Sequence, residues 1–196
     1  MPVADLISRH PQEWAGATVH AFLDGIRSGT VPPHAFNRWL VQDYLFVRDL
    51  LVFQSELRAK APSPAEPVLT AGIDALDAEL TWFVAQATER GISLEASRLP
   101  ATDAYRLAMS RWLGGGSGPA LTALWALERA YLDAWRGARP GAPAYRSFVE
   151  HWTQSEFASY VDGLAAVADE SPQAEAAFLE VCKLERAFWD MAWQGR

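Results

Sequence analysis

Cysteine is almost missing from this chain. Cys182 stands alone among 196 residues, so neither an intramolecular disulfide nor a thiolate metal cluster is available. It lies in an apolar helical stretch and reads as packing rather than as a nucleophile. Basic residues are also short, with 17 Lys and Arg against 24 Asp and Glu, and no two of them are adjacent. A formal charge of −7 spread in this way excludes a large electrostatic footprint for nucleic acid. No uncharged apolar run approaches the roughly 20 residues needed to cross a bilayer. The opening MPVADLISRHPQEW lacks the basic-then-apolar order of a targeting segment. Together these absences predict a soluble, cytoplasmic protein with neither a nucleic-acid nor a membrane partner.

Several chemistries are missing as well. A di-iron carboxylate bundle needs Glu-x-x-His pairs, and His10, His20, His34 and His151 follow other spacings. His20 would suit a haem ligand or, more simply, a cap or surface histidine; His151 beside Glu150 reads similarly. The Gly114–Gly118 stretch GGGSG sits between helical segments and runs into Pro119, so it is a flexible connector and not a phosphate loop. No serine has the context of a nucleophile elbow. What remains is acid-base or carboxylate-assisted chemistry.

Half the residues are hydrophobic, nine Trp, nine Phe and five Tyr among them, and Ala and Leu outweigh Val and Ile. That balance favours helices packed on helices. No strand alternation or hairpin signal appears, and the length suits a single domain over residues 1–196. The spacing predicts an all-α bundle of about seven helices: residues 2–28, ended by Gly29; 34–60, after Pro32-Pro33; 67–89, with Gly91 as C-cap; one capped by Thr102; 119–136; one carrying Tyr145 to Leu164; and one opened by Ser171-Pro172 and running to about 193.

The stretch from His34 to Lys60 organises the rest. Phe36, Leu40, Phe46 or Val47, and Leu50 form an apolar stripe, and Asp43 falls inside it. A carboxylate placed there must find partners or shift its pKa, because an unpaired buried charge is costly. Glu128, among Leu124, Trp125, Tyr131 and Leu132, repeats the pattern, and so does Glu185, among Val181, Cys182, Phe188 and Trp189. Each could instead be partly exposed or paired with Arg48, Arg129 or Arg186. If the three faces meet, they enclose an aromatic pocket with acidic groups, suited to a small, flat, amine-bearing or nitrogen-heterocyclic ligand. Leu127-Glu128-Arg129-Ala130-Tyr131 and Leu184-Glu185-Arg186-Ala187-Phe188 echo one another and suggest two related helices on a shared cavity.

Read together, Gly29-Thr30-Val31-Pro32, Gln42-Asp43-Tyr44, Pro100 to Tyr105, Ala123 to Tyr131, Phe157 and Glu185 with Phe188-Trp189-Asp190-Met191-Ala192 resemble the TenA/thiaminase II family over almost the whole chain. The resemblance implies a haem-oxygenase-like helical fold, a homodimer or homotetramer, and hydrolysis of thiamin-related pyrimidines in thiamin salvage. It implies that Asp43 holds the ring's amino group and Glu185 a ring nitrogen. Phe46, Tyr105, Tyr131 and Trp152 would line the slot, with Tyr44 and Phe157 as further substrate contacts. The thiaminase branch carries a nucleophilic Cys four residues before the tyrosine matching Tyr131. Here Leu127 occupies that place and Glu128 follows, which resembles the cysteine-less branch with an active-site Glu. Glu128 is then the candidate base or nucleophile, and the implied reaction converts aminomethyl- or formylaminomethyl-pyrimidine to the hydroxymethyl form with no metal and no organic cofactor required. Two other readings stand beside it: a non-catalytic pyrimidine-binding or regulatory protein, and a member of the same fold acting on haem or a quinone precursor.

Overall fold

The structure, a computed structural model, describes residues 3–169 and 171–194. Ten α-helices account for the architecture among those residues: α1 (Asp5–Arg9), α2 (Pro11–Thr18), α3 (Ala21–Ser28), α4 (Pro33–Lys60), α5 (Glu66–Glu89), α6 (Pro100–Gly115), α7 (Ser117–Gly137), α8 (Arg146–His151), α9 (Ser155–Ala165) and α10 (Pro172–Gln194). The all-helical expectation holds. The number of helices is higher than expected because two expected segments are broken.

The first break divides the amino-terminal segment into α1, α2 and α3. Pro11 lacks an N–H and pushes His10 out of the helical region, to φ −127°, ψ 55°. Val19 and His20 are extended, and His20 caps α3 by accepting the Phe22 N–H at Nδ1, 3.1 Å away. His20 is therefore a cap, as its simpler reading had it. The second break separates α8 from α9. Arg139 donates to the Thr153 carbonyl at 2.5 Å, and the Thr153 hydroxyl turns back to the Val149 carbonyl at 2.7 Å. Carbonyls freed at the break thereby find donors, and Trp152 is aimed inward.

The glycine run does less breaking than its composition suggests. Gly114 and Gly115 continue α6, and only Gly116, at φ 110°, turns the chain into α7. The connector is one residue long. At α6 the cap is also elsewhere: Leu99 precedes Pro100 at the first helical position, and Thr102 is buried inside the first turn.

One continuous apolar cluster joins the helices. α10 packs along α7, α2 and α4, while α4 also carries α5 and α6, so the long helices α4, α7 and α10 make the centre. Polar ties fix their ends: the Trp189 indole donates to the Ala17 carbonyl at 2.9 Å, and Arg38 donates to the Ala192 carbonyl at 2.8 Å. Gln54 of α4 donates to the Leu69 carbonyl and accepts from Tyr160 of α9, at 2.9 and 3.1 Å. Gly72 lets this junction close, since a Cβ there would lie 2.0 Å from Gln54 Nε2.

Candidate active site

Four long helices converge on a narrow cavity. α4 contributes Asp43, Phe46, Val47 and Leu50; α5 contributes Leu76 and Glu79; α7 contributes Leu127, Glu128 and Tyr131; and α10 contributes Glu185. Offsets of three and four residues place each set on one helix face. Trp152, delivered by the break after α8, closes the ring of side chains. The cavity is tight, with a volume of about 20 Å³, room for about one water, so a ring enters it only as the lining side chains move apart.

The carboxyls of this cavity have aromatic partners instead of basic ones. The Tyr131 hydroxyl donates to Asp43 Oδ2 at 2.6 Å, the Tyr105 hydroxyl to Glu185 Oε1 at 2.5 Å, and the Trp152 indole N–H to Glu79 Oε1 at 2.8 Å. The arginines that sequence reasoning offered as partners go elsewhere. Arg129 pairs with Asp133 at 2.9 Å, Arg48 stands over the Tyr44 ring, and Arg186 is exposed beside Gly16. Residues 129 and 186 each follow a site glutamate directly, which turns them about 100° around the helix and away from the cavity.

Without cationic partners, desolvation dominates the electrostatics. Burial pushes the Glu185 carboxyl up to about 8 against the lowering effect of the Tyr105 hydrogen bond. Burial likewise raises Glu79 to about 7, opposed by the Trp152 bond. Asp43 is raised well above the usual range, by burial first and then by the charges of Glu79 and Glu185, with Tyr131 pulling the other way. Glu128 is raised by burial and by Glu79, Glu185 and Asp43, and among the described residues it has no hydrogen-bond partner. Burial and the adjacent carboxyls also hold the Tyr105 and Tyr131 phenols protonated, so both act as donors. Glu185 Oε2 is buried without a partner. The arrangement therefore presents carboxyls able to accept from, or give a proton to, a nitrogen-rich ring.

Asp43, Glu128 and Glu185 are brought together, along with Phe46, Tyr131 and Trp152. The three other aromatic candidates stand off the cavity's lining. Tyr105 does not line the cavity but stands behind Glu185, buried against Phe46 at a ring separation of 4.8 Å. Phe157 lines a neighbouring, more open chamber between α5 and α9. Tyr44 points away from the cavity, toward Phe83 and Arg48, because one residue beyond Asp43 is about 100° around the helix. Gln42 turns to the other side and clamps the start of α6, donating to the Ser97 carbonyl and accepting from the Leu99 N–H and the Thr102 hydroxyl. Among the described residues, no group of His, Cys, Asp and Glu is arranged to hold a metal ion.

Glu79 is the residue that sequence reasoning missed. It completes a Gly72, Leu76, Glu79, Phe83 stripe, the same anomaly that singled out Asp43. Asp74 and Asp77 nearby made it look like part of a solvated acidic face.

A model of the TENA/THI-4/PQQC family matches residues 7–195. The chain belongs to that family. Its relatives include a probable bifunctional TENA-E protein of Glycine max, 28% identical with 95% of this chain and 90% of that protein covered. An aminopyrimidine aminohydrolase of Halalkalibacterium halodurans is also 28% identical, with 98% and 96% covered. Among solved structures, a TenA homologue from Pyrococcus furiosus superposes with a TM-score of 0.92 at 31% identity, covering 98% of this chain and all of that one. A TenA homologue from P. horikoshii gives 0.88 at 23%, covering both chains fully. The fold is accordingly the haem-oxygenase-like one of TenA homologues. In this TENA/THI-4/PQQC chain Leu127 and Glu128 both line the cavity. Cys182 is outside the cavity, and burial pushes its thiol up to about 12. Among the described residues, no helix is long and apolar enough to cross a membrane.

Proposed function

We propose that this protein hydrolyses the aminomethyl or formylaminomethyl arm of a 2-methyl-4-aminopyrimidine to the hydroxymethyl form, a salvage reaction for the pyrimidine half of thiamin. The observation that carries the reading is Glu128, a buried carboxyl without a hydrogen-bond partner among the described residues. It faces a narrow cavity whose other carboxyls are held by phenols and an indole. The relative named aminopyrimidine aminohydrolase supports it.

Each residue has a role in this reading. Asp43 keeps one oxygen on Tyr131 and offers the other to the ring's amino group. Glu185, pushed up to about 8, carries a proton at neutral pH and presents Oε2 to a ring nitrogen, and protonating the ring draws electrons from the arm's carbon–nitrogen bond. Glu128 takes the proton of the attacking water. Phe46, Tyr131 and Trp152 hold the ring flat and exclude bulk water. A thiol route has little support, because Cys182 does not line the cavity and burial pushes its thiol up to about 12.

Incubating purified protein with the aminomethyl, formylaminomethyl and thiamin forms, and following hydroxymethylpyrimidine by chromatography, tests this directly. Release from the amine forms alone supports the carboxylate-driven reaction. Release from thiamin contradicts the cysteine-less reading, and tight binding without release points to a regulatory binding protein. Glu128→Gln and Asp43→Asn should each lower turnover by roughly 10²- to 10⁴-fold with the fold intact. Full turnover in both variants removes the assignments.

A further inference from the structure

We propose that Glu79 is a further catalytic residue, the acid that hands a proton to the departing nitrogen at the mouth of the cavity. This rests on the hydrolytic reading above. Glu79 and Trp152 are the two residues that line both the inner cavity and the outer chamber, whose volume of about 370 Å³ is bounded by Ala71, Ala75, Ala78 and Phe157 among others. The Trp152 indole holds Glu79 Oε1 at 2.8 Å and so fixes the carboxyl in the wall that the two spaces share.

Of the four cavity carboxyls, Glu79 is the one that also borders the outer chamber. In the proposed pose the ring is anchored on Glu185 and Asp43 and its arm turns to that side, which brings the departing nitrogen to Glu79. No Lys or Arg among the described residues pairs with Glu79. The nearest basic group is His151, 4.0 Å away, whose ring lies flat on Trp82 at 4.1 Å and which burial pushes down to about 4. A neutral imidazole leaves Glu79 uncompensated. Burial raises its carboxyl to about 7, so near neutrality it can hold a proton and release it.

The step balances without another reactant. Water oxygen bonds to the arm carbon as the carbon–nitrogen pair leaves with nitrogen. Glu128 takes the water proton, and Glu79 gives its own to the nitrogen, which departs as ammonia or formamide through the outer chamber. Glu128 then holds a proton and Glu79 is ionised, and exchange with solvent restores both. A substrate arriving as ammonium beside ionised Glu79 carries the same number of protons.

Leaving-group dependence tests the assignment. Turnover of the aminomethyl pyrimidine, which must leave as a protonated amine, is compared with that of a 4-nitrophenoxymethyl analogue, which leaves as a stable anion. Glu79→Gln keeps an acceptor for the Trp152 indole but has no proton to give. It should lower amine turnover by roughly 10²- to 10⁴-fold and change nitrophenoxy turnover by no more than a few-fold. Glu128→Gln should lower both. Equal losses on both substrates in Glu79→Gln, or no loss on either, overturn the assignment. Wild-type inertness toward both sinks the hydrolytic reading itself, and this proposal with it.

Discussion

Replacing Glu185 by Gln isolates the consequence of burying a carboxyl without a cation. The amide is isosteric and still offers Tyr105 an acceptor, so the change removes one titration and little packing. In the folded chain Glu185 titrates near 8, against an ordinary value of 4.5. The folded state therefore holds its proton more tightly than the unfolded state does. The associated stability is fully present below 4.5 and is lost as pH rises through about 8. Between about pH 5 and pH 8 the wild-type protein should lose on the order of 3 kcal/mol from this group, from a shift worth about 1.4 kcal/mol per unit. Urea denaturation at several pH values gives the measurement. The wild-type curve should fall more steeply with pH than that of Glu185→Gln, and the variant should be the more stable at the alkaline end. Parallel curves would falsify the claim that Glu185 is desolvated and without a cationic partner in the native state.

Two further outcomes separate packing from chemistry. Cys182→Ala should retain full turnover and cost about 1–2 kcal/mol in stability as a small buried truncation, and native protein should react slowly with thiol reagents; rapid labelling or lost activity contradicts the protonated, buried thiol. Gly72→Ala should destabilise the protein by roughly 1–3 kcal/mol in thermal or urea melts, because its Cβ would meet Gln54 and Tyr160 at 2.0 and 2.5 Å, and an unchanged melt shows that the junction gives way freely.

The site was partly legible because a carboxyl inside an apolar stripe violates a local rule. Asp43, Glu128 and Glu185 each show that violation, and all three face the cavity. Glu79 shows it too, but Asp74 and Asp77 supplied a bland explanation, since sequence position alone cannot separate one face of an acidic helix from another. Tyr44, next to Asp43 in the chain, is turned about 100° around the helix and stands against Phe83 and Arg48 instead. Trp152 and Phe157 were expected on one helix. The break at Thr153 instead sends the indole into the inner cavity and Phe157 to the outer chamber.

Composition and periodicity by themselves determined an all-helical chain, its long helices, and three of the four cavity carboxyls, because burial patterns repeat with the helix turn. Tertiary structure alone decided which partners those carboxyls meet. Phenols and an indole from other helices reach them where arginines on the same helices do not, and four faces must close together before desolvation can raise their pKa values. Glu79 became visible only then, since its place at the boundary of two cavities is set by the packing of α5 against α4 and α9, and no local sequence pattern encodes that packing.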